Sequence, residues 1–176
     1  SVNIPASVTS IDFHAFAYCS GLTILVIGNG VTSIGGQAFI GCTGLTSVEI
    51  GNGVTAIGGL AFHGCTSLAS ITIPASVTTI EYSVFSGCTS LTAINVDPGN
   101  SAYASTDGIL FNKDVTLLIQ YPHGREGAYS IPDSVSDIGD AFYGCTSLTS
   151  VTIPASVTSI DGDAFNGCTS LITVVI

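Results

Sequence analysis

Leu68-Ala69-Ser70-Ile71-Thr72-Ile73-Pro74-Ala75-Ser76-Val77-Thr78-Thr79-Ile80-Glu81-Tyr82-Ser83-Val84-Phe85-Ser86-Gly87-Cys88-Thr89-Ser90 is one turn of a pattern that repeats every 23 residues. The period runs through Cys19, Cys42, Cys65 and Cys88, and returns between Cys145 and Cys168. Phe16, Phe39, Phe62 and Phe85 keep it, as do Leu22, Leu45, Leu68 and Leu91. A fixed period of this length, with one apolar set recurring in phase, specifies a supersecondary unit stacked into a solenoid. Inside the unit, Leu68, Ile71 and Ile73 end on a period of two, which suits a short strand. Val77 and Ile80 mark a second extended stretch after a turn. That turn is spelled Ile-Pro-Ala-Ser-Val at 4–8, 73–77 and 153–157, and Ile-Gly-Asn-Gly-Val at 27–31 and 50–54. Proline fixes φ and glycine permits positive φ, so both spellings bend the chain. The Ala-Phe block that follows is long enough for one helical or 3₁₀ turn, with Phe and Cys inward.

These residues resemble the leucine-rich repeats of the BspA-like class, the Treponema pallidum subclass. Cys42 and Cys65 stand in that class's cysteine phase, and Ala38-Phe39 and Ala61-Phe62 match its Ala-Phe pair. The resemblance implies an α/β repeat solenoid: a curved right-handed stack with a parallel concave sheet, short convex strands and helical or 3₁₀ turns. It also implies secreted or cell-surface proteins that attach to host proteins, other cells or matrix, without catalysis.

The 176 residues, 46% apolar, are read as a single solenoid domain over 1–176: regular repeats at 1–96, an irregular insertion at 97–130, and regular repeats at 131–176. Within the insertion, Ile109-Leu110-Phe111 and Val115 to Tyr121 flank the polar Asn112-Lys113-Asp114, the pattern of a β-hairpin. The plain reading makes this island a variant coil. The alternative makes it a binding element, since Tyr103, Tyr121, Tyr129, His123 and both basic residues gather there. Twelve acidic residues against Lys113 and Arg125 give a net charge of −10, which argues against nucleic acid and anionic membrane as partners. No apolar run approaches the roughly 18 residues of a membrane-spanning helix, and any export signal is expected to lie outside the sequence.

Several constellations invite chemistry. One cysteine per coil would place thiols in a ladder, but a full coil separates neighbours, unlike the short ligand spacings of metal sites. Equivalent side chains run parallel instead of facing, so free buried thiols are expected. His14, His63 and His123 lie at three different phases and form no ladder. Abundant serine makes chance Ser-His-Asp combinations easy to find, so these carry little weight and no catalytic residue, metal or cofactor is assigned. Asp133, Asp137, Asp140, Asp161 and Asp163 occupy two successive coils and read as a solvated acidic edge before a calcium site.

The expected contact surface is the concave face, with Thr46, Ser47, Glu49, Ser70, Thr72, Thr92, Asn95, Thr149, Ser150 and Thr152, joined by Tyr103 and Tyr121 of the island. It is small, polar and nearly uncharged, suited to an extracellular protein or glycan through many short hydrogen bonds; Thr and Ser are also simply good solvent-facing strand residues. Two rival readings are head-to-tail assembly through end coils bearing outward Ile24, Val26, Ile172 and Val175, and ice binding by the Thr rows. The ends carry no polar cap, and a fragment of a longer array is the plainer explanation.

Overall fold

The computed structural model describes residues 1–176 and contains strands and turns only. Each early coil has a longer strand and then a two-residue one: β1 (Val2–Ile4) and β2 (Ser10–Ile11), β3 (Ile24–Ile27) and β4 (Ser33–Ile34), β5 (Ser47–Glu49) and β6 (Ala56–Ile57), β7 (Ser70–Ile73) and β8 (Thr79–Ile80). The chain continues through β9 (Ala93–Val96), the island strands β10 (Tyr103–Thr106), β11 (Ile109–Asn112) and β12 (Leu118–Gln120), then β13 (Gly127–Ser130), β14 (Leu148–Thr152) and β15 (Thr173–Val175). Long strands pair in parallel as β1-β3-β5, β7-β9 and β13-β14-β15, forming a broad face. The short strands make a narrow face, β2-β4-β6-β8. Registers such as Leu25↔Val48 and Ile71↔Ile94 advance by one period, so residues of the same phase stack.

Adjacent strands lie about 4.8 Å apart, and the core is therefore a set of columns. Phe16, Phe39, Phe62 and Phe85 stack nearly parallel, with successive ring centroids 5.2, 5.3 and 6.0 Å apart. Leu45, Leu68 and Leu91 are fully buried beside them. Glycine spelling in the 27–31 and 50–54 turns is a packing requirement: a methyl on Gly30 or Gly53 would stand 1.7 Å from Ala6 O or 2.0 Å from Asn29 O.

The expected helical or 3₁₀ turn is absent, so the fold is an all-β solenoid and not an α/β one. A helix commits consecutive N–H groups to its own segment. Here they alternate. Ala38, Ile40 and Cys42 donate three residues back, to Gly35, Gln37 and Phe39, while Gln37, Phe39 and Gly41 donate to Gly59, Ala61 and His63 of the next coil. Positive φ at Gln37 (57°) and Gly41 (67°) turns those donors outward, and the glycine before each cysteine from Cys42 onward provides that conformation freely.

Threonine adds a second ladder. Thr32, Thr55 and Thr78 each donate a hydroxyl to the carbonyl 23 residues earlier, at 3.1, 3.1 and 3.4 Å. Replacing Thr55 with Val removes one such bond, while Thr32 O keeps the Thr55 N–H at 2.8 Å. Urea unfolding should show a loss of about 0.5–1 kcal/mol, with Thr55→Ser restoring most of it.

The island is an antiparallel meander, β10-β11-β12, in which the expected hairpin is joined by β10. It is anchored where a regular coil would sit. Buried Asn100 donates to Pro74 O and Val77 O, both at 2.9 Å, and accepts from the Ala102 and Tyr103 N–H groups. Tyr103 accepts the Ile80 N–H, and Leu117 bridges to Asp137 as a continuation of the narrow face. No helix is long and apolar enough to cross a membrane.

Candidate functional site

On the broad face, alternation along each strand sends Leu25, Ile71 and Ile94 inward and their neighbours outward. Register then aligns the outward residues across coils: Ile24 beside Ser47, Val26 beside Glu49, Ser70 beside Ala93, Thr72 beside Asn95, and Thr152 beside Val175. Thr46, Ser47, Glu49, Ser70, Thr72, Thr92, Asn95 and Thr152 are exposed, and Thr149 and Ser150 are half-buried. These residues are not equivalent. Thr46 and Thr92 donate their hydroxyls to Thr23 O and Ala69 O at 3.0 and 3.3 Å, so those protons are committed to the stack. Ser47, Glu49, Ser70, Thr72, Asn95 and Thr152 make no side-chain hydrogen bond within the chain.

The two island tyrosines are placed differently from the sequence expectation. Tyr121 is completely buried and cannot meet a ligand. It takes the phenylalanine place in the core column, 5.2 Å from Phe142, and its carbonyl receives the Cys145 thiol as Phe carbonyls do in other coils. Its position lies 21 residues before Phe142, out of phase, which is why periodicity did not reveal it. Tyr103 is half-buried with its hydroxyl oxygen accepting from Ile80. Neither basic residue is free: Lys113 donates to Asn100 O, and Arg125 pairs with Asp107.

The histidines also differ from expectation, because His63 and His123 approach the same glycine. Gly87 donates its N–H to His123 Nδ1 at 3.1 Å, and a methyl on Gly87 would stand 3.7 Å from His63 Cε1. His123 is 4% exposed, and burial, followed by the neighbouring His63, pushes its pKa down to about 4. The ring is neutral at pH 7, with Nδ1 accepting and the proton on Nε2. The island shifts the phase, so a spacing argument could not bring these two together.

All six cysteines are free thiols. Cys42, Cys65, Cys88 and Cys168 donate to Phe16, Phe39, Phe62 and Phe142 carbonyls. Burial, then Cys65, pushes Cys42 up to about 11, and burial also raises Cys145. A thiol held protonated is a weak nucleophile. Asp140, Asp161 and Asp163 surround one open hollow with Tyr143, and no three ligand-type side chains converge closely enough to hold a metal ion.

The chain matches the family model described as BspA type leucine rich repeat region, in six copies over residues 1–107 and 127–176. The unmatched segment, 108–126, contains β11 and β12. Among solved structures, the pneumococcal vaccine antigen PcpA is similar over 99% of this chain with a TM-score of 0.86 at 24% identity. A leucine-rich repeat protein from Eubacterium ventriosum is similar over 98% of the chain, with a TM-score of 0.71 at 26% identity. The T. pallidum leucine rich repeat protein is similar over 96%, with a TM-score of 0.54 at 30% identity. The chain spans 50%, 59% and 63% of the lengths of these three. No curated protein matches its sequence.

Proposed function

The chain belongs to the BspA type leucine-rich repeat family, and on that premise we propose that it is a non-enzymatic recognition module, secreted or displayed on a cell surface, that binds an extracellular protein or glycan through its broad face. The observation that carries this reading is the set Ser47, Ser70, Thr72 and Asn95, exposed outward side chains on successive long strands that spend no hydrogen bond inside the chain, with Thr72 and Asn95 in strand register. Glu49 and Thr152 extend it, and Thr149 and Ser150 contribute from half-buried positions. A flat, nearly uncharged row of short side chains lacks the Trp, Tyr and Arg anchors of strong interfaces. Each copy is therefore expected to bind weakly, with avidity arising from many copies displayed together.

The test is binding of the purified chain to immobilised matrix proteins, host-cell surfaces and glycans, beside a Ser70→Arg, Thr72→Arg variant. Both substituted residues are exposed, so the fold should be retained. Saturable binding that weakens at least tenfold in the variant is the expected result; equal binding by both forms rules out the broad face. Ile172 and Val175 are exposed at the phases of Thr149 and Thr152, apolar where the preceding coil is polar.

A further inference from the structure

The turn ladder is complete through three coils and fails in the fourth. His14 and Phe16, Gln37 and Phe39, and Leu60 and Phe62 each donate their N–H groups to carbonyls of the following coil, the last two to Tyr82 O at 3.1 Å and Val84 O at 3.0 Å. The corresponding donors one coil on are Ser83 and Phe85, and neither has an acceptor, because the chain leaves the regular path for the island. Gly87, the third donor of that row, is satisfied by the His123 ring. In place of the missing carbonyls there is a cavity of about 340 Å³, lined by both residues. Such a volume sits at the lower end of small-molecule pockets, about 300–1,000 Å³.

The opposite wall is polar in the complementary sense. Gln120 is 8% exposed, donates its amide N–H to Tyr121 O and leaves its carbonyl oxygen without a donor. The Glu81 and Asp140 carboxylates border the cavity, and the only hydrogen bond to the Glu81 carboxylate is from Gly59 N–H. Leu110, Leu117 and Ile119 form an apolar floor. Tyr82, 68% exposed, lies against Gly59 at the edge and presents its ring to solvent.

We propose that this seam binds a neutral polyhydroxylated ligand, a hexose unit of a glycan. Unpaired backbone donors disfavour a cation, and two carboxylates with a chain charge of −10 disfavour an anion. A sugar hydroxyl meets both demands, accepting from Ser83 and Phe85 N–H while donating to Gln120 and Asp140 oxygens. The apolar C–H face of the ring has the floor and Tyr82 to pack against. This site lies off the broad face and does not depend on the function proposed for that surface.

The experiment is titration of the intact, isotope-labelled chain with methyl α-glucoside, methyl α-mannoside and methyl β-galactoside, following the Ser83 and Phe85 amide resonances. Inorganic phosphate and n-butylammonium serve as charged probes. At least one glycoside should move both resonances saturably, with neither charged probe doing so, and Asp140→Ala or Tyr82→Ser should weaken binding about tenfold. Both substitutions are of exposed residues, and the spectrum itself reports whether the fold is kept. Resonances moved by no glycoside, moved instead by phosphate or butylammonium, or moved equally in both variants would overturn the proposal.

Discussion

Phe62→Ala should cost about 4 kcal/mol of stability, the largest loss expected from any single substitution considered. Its ring is wholly buried between Phe39 and Phe85, at centroid distances of 5.3 and 6.0 Å, with the Leu68 column alongside. Truncation removes the transfer energy of the ring, leaves a cavity that rigid neighbouring coils cannot collapse into, and breaks two aromatic contacts. Phe16→Ala provides the comparison, since Phe16 is half-buried and stacks on Phe39 alone. It should lose about 1–2 kcal/mol. Thermal unfolding would show a midpoint lowered by roughly 8–16 °C for Phe62→Ala. Equal losses at both sites would mean that the column does not behave as a stack.

Acidification should remove about 3 kcal/mol between pH 6.5 and pH 4 through His123 alone. The folded pKa, about 4, lies below the ordinary value of 6.5, so in that interval the unfolded chain takes up a proton that the folded chain refuses. The stability is present in full above pH 6.5, falls as pH drops through the window, and loses nothing further from this group below pH 4. Protonating Nδ1 would also break the bond from Gly87 N–H, leaving a further unpaired donor at the seam. His123→Gln keeps an acceptor for Gly87 without titrating. Its urea midpoint should stay nearly level over the same interval, and a slope equal to that of the parent chain would assign the acid sensitivity elsewhere.

The columns of Phe, Leu and Cys were legible because a 23-residue period puts equal residues at equal places, and stacking needs no further information. The hairpin was legible from two apolar runs about a polar turn. The Ala-Phe block was misread for a physical reason: whether an N–H bonds within its segment or across to the next coil is decided by a non-local partner. Composition of six residues cannot express that choice, although the recurrent Gly-Cys marked where φ turns positive. Thr9, Thr32, Thr55 and Thr78 did carry a signal, a threonine at one phase in four coils. The hydroxyls of Thr32, Thr55 and Thr78 form a ladder that this phase alone does not distinguish from solvent exposure, and the same ambiguity applies to Thr46 and Thr92 in the contact set. Everything at the island seam was hidden, since residues beyond it are displaced from the period. Tyr121 entered the core column, His123 met Gly87 and Ser83 and Phe85 lost their acceptors through that one shift in phase.

Hydrogen–deuterium exchange of the chain alone and saturated with the partner found in the binding panel is the most direct measurement of where recognition occurs. Broad-face recognition requires slowed exchange in 47–49, 70–73, 93–96 and 148–152, with the narrow-face pairs 33–34, 56–57 and 79–80 unchanged. Slowing confined to the narrow face, or to the island strands, would contradict it.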